Sequence, residues 1–159
     1  MNITLVTVGK LKEKYLKQAI DEYSKRLGRY CKLDIIELAD EKTPDNASDK
    51  EEQQIKEKEG RVILSKIKDT SYVVAMDLKG KQVTSEEFSS FIGKCGVSGN
   101  SNIVFVIGGS LGLSEEVIRR ADYKLCFSKM TFPHQLFRVM LLEQVYRAFR
   151  IMKNEPYHK

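Results

Sequence analysis

Five times along this chain a short, β-rich apolar run gives way to a longer segment with helical spacing. That alternation restricts the fold to an α/β architecture with a mainly parallel sheet of five to six strands. The first run, Asn2–Val8 (NITLVTV), closes at Gly9-Lys10. Over Lys12–Leu27 the period changes, and Tyr15, Leu16, Ala19, Ile20, Tyr23 and Leu27 share one helical face. Leu33–Leu38 is the second strand, and Ala39–Ala47, polar and holding Pro44, is a loop. Ser48 and Asp49 cap a charged helix reaching Lys68, with Ser48 and Glu51 at capping-box spacing and Gly60 weakening its middle. Tyr72–Leu78 is apolar almost without interruption, as expected of a strand covered on both faces. Lys79-Gly80-Lys81 then reads as a turn, and Ser85 opens a short helix with Phe88, Phe91 and Ile92 inward. After a loop over Gly96–Asn102 come a strand at Ile103–Ile107, a helix at Ser114–Ala121, a strand at Tyr123–Phe127 and a loop at Ser128–Gln135.

The last helix is expected over Leu136–Lys153. Its apolar residues Val139, Met140, Leu142, Val145, Tyr146, Phe149 and Met152 cover more than one stripe. One side can meet the sheet, and a subunit interface is the expected cover for the other. The 159 residues suffice for one domain, 1–159, with a sizeable core.

With 27 Lys+Arg against 22 Asp+Glu, the net charge of +5 leans toward polyanionic partners. Cys31, Cys95 and Cys126 are scattered, with no paired spacing and no Cys/His cluster, which excludes a disulfide framework and a zinc-type site. The start, MNITLVTVGK, lacks the features of a signal peptide, and no run is long enough to span a membrane; a cytoplasmic protein is expected.

Parallel sheets bind ligands at the carboxyl ends of their strands, which groups three loops: Asp77–Lys81, Gly108–Leu113 and Ser128–Gln135. The second holds Gly108, Gly109 and Gly112 in the run FVIGGSLGLS. It is not GxGxxG, it does not follow the first strand, and it lacks a P-loop ending. Two readings stay open: a tight turn without a ligand, or a backbone left bare for close approach. In the third loop, Phe127, Met130 and Phe132 either plug the core below the last helix or hold an adenine-sized ring beside main-chain hydrogen bonds.

Taken together, VAMDLKGK, FVIGGSLGLS and LCFSKMTFPHQLFRVMLLEQVYRAFRIMKNEPYHK resemble the SPOUT class of RNA methyltransferases, and within it the bacterial ribosomal large-subunit methyltransferase H (YbeA) family. The resemblance runs from NITLVTVGK to PYHK. It implies a C-terminal trefoil knot, a homodimer, S-adenosylmethionine as methyl donor without a metal, and methylation of N3 of a pseudouridine in large-subunit (23S) rRNA within the ribosome. Residue by residue, it places the cofactor on Met76, on Gly108, and on Phe127, Ser128, Lys129, Met130, Thr131 and Phe132. Tyr157 and His158 match the family's Pro-Tyr-His ending. Lys159 stands where the family carries Arg, which puts a bidentate phosphate contact there in doubt.

Methyl transfer needs an acceptor nitrogen facing the methyl and a way to shed the imide proton. His158 is a candidate general base, Tyr157 can stack on or hydrogen-bond the nucleobase, and Arg138 is placed to meet RNA phosphate or developing negative charge. Arg147 reads as an interface or surface charge, and His134 as a residue that fixes its loop. The rival readings are a non-catalytic ribosome- or RNA-binding module, a nucleotide-dependent oxidoreductase weakened by the misplaced glycines, and a dimeric scaffold.

Overall fold

The computed structural model describes Met1–Lys159. The elements run β1 (Asn2–Val8), α1 (Lys14–Leu27), β2 (Lys32–Leu38), α2 (Asp49–Ser65), β3 (Tyr72–Lys81), α3 (Ser85–Val97), β4 (Asn102–Ile107), α4 (Glu115–Arg120), β5 (Tyr123–Leu125) and α5 (His134–Met152). The five strands form one sheet in the order β2-β1-β4-β3-β5, with every neighbouring pair parallel. The expected α/β class is therefore the observed one.

The unbroken apolar strands follow from helices on both faces. Along β4, Ile103, Phe105 and Ile107 point to one core, and Val104 and Val106 to the other. The larger core holds α1, α3 and α5, with Ile20, Phe88, Ile92, Leu142 and Val145 buried. The smaller one buries Ile63 of α2 and Val117 of α4.

Local signals explain most boundaries. Ser48 accepts the Glu51 N–H and so caps α2. The capping box forms elsewhere: Thr84, not Ser85, caps α3, with Glu87 reaching back to the Thr84 N–H at 2.8 Å. Helix α5 opens at His134, directly after Pro133, two residues before the expected start. Tyr15, expected on the buried face of α1, is 66% exposed.

Three expectations change with the tertiary structure. Lys79-Gly80-Lys81 is not a free turn: β3 continues to Lys81, whose carbonyl accepts the Cys126 N–H at 3.0 Å. Leu125 lies opposite both Met76 and Lys81, so Asp77–Gly80 bulges out of the ladder. A Cβ on Gly80 would stand 2.7 Å from the Lys124 carbonyl carbon, so only glycine lets the two strands pass. Strand β5 ends at Leu125; Cys126 keeps its one bond to Lys81, and Phe127 leaves the sheet. Lastly, α1 and α3 of the same chain cover much of both apolar sides of α5, while Val139 and Met140 stay only partly buried.

Candidate functional site

The loop after β4 is shaped by its own return. A Cβ on Gly108 would lie 2.8 Å from the Gly112 carbonyl carbon, and Gly112 has φ +86°. The N–H of Gly112 donates to the Gly109 carbonyl at 3.0 Å. The bare backbone at Gly108 thus makes room first for the loop itself, and Gly112 supplies the left-handed residue the turn requires. Beneath the loop lies α2. Gly60, expected to weaken the helix, lets α2 approach Ser114, whose Cβ would be 3.0 Å from a Cβ at position 60. The neighbouring Glu59 is buried, accepts the Glu41 N–H at 3.2 Å, and abuts Gly109. Burial pushes its carboxyl above the usual value of 4.5, and the Asp40 and Glu41 carboxylates add to that, while the hydrogen bond from Glu41 opposes it.

This glycine loop, the β3 bulge and the segment after β5 enclose a cavity of about 770 Å³. All of the residues that the resemblance assigns to the cofactor line it except Lys129: Met76, Gly108, Phe127, Ser128, Met130, Thr131 and Phe132. The N–H groups of Gly108, Ser110 and Leu111, and of Phe127, Ser128 and Lys129, are bonded to no carbonyl of the chain. Backbone donors left free beside an apolar wall suit a planar heterocycle. The wall is firm on one side: Phe137 of α5 meets Phe127 edge-on at 4.9 Å and stacks on Phe132 at 6.3 Å between centroids. Met130 is 73% exposed at the rim, its N–H tied to Ser128 Oγ at 3.0 Å. His134 also lines the cavity, and burial lowers its pKa. The residues present fit an adenosyl-type cofactor.

Arg138, expected to meet RNA phosphate or developing negative charge, is 1% exposed and turned inward. Its guanidinium donates to Glu37 Oε2 at 2.9 Å and to the carbonyls of Val8 and Gly9 at 2.9 and 2.8 Å. Glu37 in turn accepts the Leu11 N–H at 2.9 Å. Arg138 therefore fastens the start of α5 to the carboxyl ends of β1 and β2, a positioning role. Sequence reading missed Glu37 because the two residues lie 101 positions apart.

The tail forms a second cluster. Asn154, at φ 51°, ends α5, and the Glu155 N–H donates to the Arg150 carbonyl at 2.9 Å. Glu155 pairs with Arg150 at 2.6 Å and accepts from the Tyr30 hydroxyl. This folds Tyr157 back onto α5, where its hydroxyl donates to Glu143 Oε1 at 3.2 Å under the Arg147 guanidinium. His158 sits between Glu86 (Nε2, 2.9 Å) and Arg147 (Nδ1, 3.3 Å). Burial, reinforced by the Glu143 carboxylate, pushes the Tyr157 hydroxyl up to about 12, so it remains a donor at neutral pH. Glu143 and Arg147 at i, i+4 spacing were a readable pair. Glu86 carried no such signal, being distant in sequence from His158.

Tyr157 and His158 do not line the glycine-loop cavity. Glu143, the partner of Tyr157, lines a separate groove of about 450 Å³, with Tyr23, Val83, Val139 and Met140, and this groove shares Cys126 and Phe127 with the cavity. Within one chain, the tail and the glycine loop are neighbours across Phe127 and do not form one site.

A family model described as "Predicted SPOUT methyltransferase" matches residues 1–158. The chain is 84% identical to the Ribosomal RNA large subunit methyltransferase H 1 of Clostridium perfringens (strain SM101 / Type A), over 100% of both chains. It is 77% identical to the Ribosomal RNA large subunit methyltransferase H of Clostridium acetobutylicum and 75% identical to that of Clostridium beijerinckii, again over 100% of each chain.

Proposed function

Because the chain belongs to the SPOUT methyltransferase family, we propose that it methylates N3 of a pseudouridine in large-subunit rRNA, using S-adenosylmethionine and acting as a homodimer. The observation that carries this reading is the convergence of Met76, Gly108 and the Phe127–Phe132 segment on one cavity with unbonded N–H groups. The relatives named for large-subunit rRNA methylation, matched over their full length, support the substrate class. The knotted threading of the family belongs to the same reading, and the close passage of β5 over Gly80 supports it. The work is done in the cytoplasm, where ribosomes are; no helix is long and apolar enough to cross a membrane.

When bound, S-adenosylmethionine supplies an electrophilic sulfonium methyl. The chain's own residues do the rest. Backbone N–H groups of the glycine loop and of Phe127–Lys129 hold the adenosyl part, and Phe132 and Phe137 exclude water from one side. The acceptor is positioned by the tail of a second protomer, because a chain's own Tyr157 and His158 lie outside its own cavity. The groove lined by Val139 and Met140 beside Phe127 is the surface that brings the protomers together. Tyr157 stays protonated and serves as a stacking and hydrogen-bonding group. His158 donates its Nε2–H to Glu86 and accepts from Arg147 at Nδ1, so it takes the imide proton at Nδ1 once the Arg147 contact is released.

The test is incubation of the purified chain and S-adenosylmethionine with large ribosomal subunits from cells lacking the gene, followed by nucleoside mass spectrometry. One new N3-methylated pseudouridine is expected. No added methyl group, or a methyl on another atom, overturns the proposal.

A further inference from the structure

The cofactor cavity carries cations that the cofactor does not call for. Lys56 of α2, Lys79 of the β3 bulge and Arg119 of α4 line it from three separate elements. None of them makes an ion pair, whereas their sequence neighbours do: Lys58 pairs with Glu41 at 3.2 Å, and Arg120 with Asp122 at 3.2 Å. Asp77 and Glu115 share the lining, yet both have local duties. Asp77 accepts the Lys79 N–H at 3.2 Å within the bulge, and Glu115 occupies the first turn of α4, where a carboxylate suits the helix end. Three cations against two carboxylates leave an excess of one positive charge.

S-adenosylmethionine is itself a net cation, since its sulfonium and ammonium outweigh one carboxylate. An unpaired positive excess around it weakens its binding, so the excess fits a different ligand. Lys79 and Arg119 are exposed and Lys56 is half-buried, so the charges sit at the mouth, outside the wall of Phe132 and Phe137.

We propose that Lys56, Lys79 and Arg119 form a phosphate-binding rim that takes the sugar–phosphate backbone of the RNA acceptor at the mouth of the cofactor cavity. This rests on the function proposed above and names residues that dock its substrate. Such contacts fix the position of the nucleic acid without reading its sequence. Bound phosphate also cancels the positive excess, so RNA and cofactor strengthen each other's binding, as linkage requires.

The experiment compares the full chain with the triple variant Lys56→Ala/Lys79→Ala/Arg119→Ala and with Lys58→Ala. Co-sedimentation with purified unmodified large ribosomal subunits is followed across a potassium chloride series, and S-adenosylmethionine affinity is measured by calorimetry. The triple variant is expected to bind subunits at least about tenfold more weakly, with the slope of log affinity against log salt reduced by roughly one per lost contact. Its cofactor affinity should be unchanged or slightly higher, and Lys58→Ala should match the parent. Loss of cofactor affinity with unaltered subunit binding would overturn the proposal and assign the cations to the methionine carboxylate. Equal loss in Lys58→Ala would also overturn it, by reducing the effect to general surface charge. If the parent chain itself fails to sediment with the subunits, the RNA reading beneath it fails as well.

Discussion

Gly108 and Glu59 show how much of this site is decided atom by atom. A methyl group on Gly108 meets the Gly112 carbonyl at under 3 Å, so the loop must shift to accept it. Gly108→Ala is expected to cost about 1–3 kcal/mol in stability and to lower S-adenosylmethionine affinity by tenfold or more, read by urea unfolding and calorimetry. Retained affinity would mean that the loop does not hold the cofactor. Glu59 gives a signed pH dependence. Its folded pKa is raised, so the folded chain holds this proton more tightly than the unfolded chain does. Its contribution to stability is therefore full below the ordinary value of 4.5 and is lost as pH rises through the raised folded value. Glu59→Gln should flatten this slope and be at least as stable as the parent at neutral pH. Urea unfolding at a series of pH values checks it, and parallel curves for the two proteins would refute it.

At the scale of elements, α5 carries the most consequence. Its first turn is fastened to β1 and β2 by Arg138, and its last turns hold the tail through Arg147 and Arg150. Arg138→Ala leaves two carbonyls and the Glu37 carboxylate without their donor. A loss of about 3 kcal/mol is expected in chemical denaturation, with no change in the salt dependence of RNA binding. A change in salt slope without destabilisation would return Arg138 to a phosphate-binding role. The periodicity of α5 was legible, since its apolar positions fall where the core receives them. What covered its second side was not. Apolar spacing states that a face is buried and is silent on whether α1, α3 or another chain buries it.

For the whole molecule, charge and assembly set the expectations. Two chains of +5 make a +10 dimer, a better match for a polyanion than one chain. Sedimentation should give twice the 18.3 kDa chain mass, and a fully active monomer would contradict the shared site. Removing Tyr157–Lys159 should spare cofactor binding and the fold, because Glu155, Arg150 and Tyr30 anchor the tail upstream. Methyl transfer should fall by a hundredfold or more. A truncated chain with full activity would place the acceptor site elsewhere.

The sequence by itself determined the α/β class, the run of strands and helices, and the segments that meet at the carboxyl end of the sheet. These depend on local spacing, capping and turn chemistry, which act over a few residues. Only the tertiary structure decided that Lys79–Lys81 stays in the ladder, that Gly60 and Gly80 mark close crossings, that Arg138 is a buried clasp on Glu37, and that the tail stands apart from the glycine loop. Each of these is a contact between residues distant along the chain. Close packing and ion pairing depend on separation in space, and separation in sequence leaves no periodic trace of them.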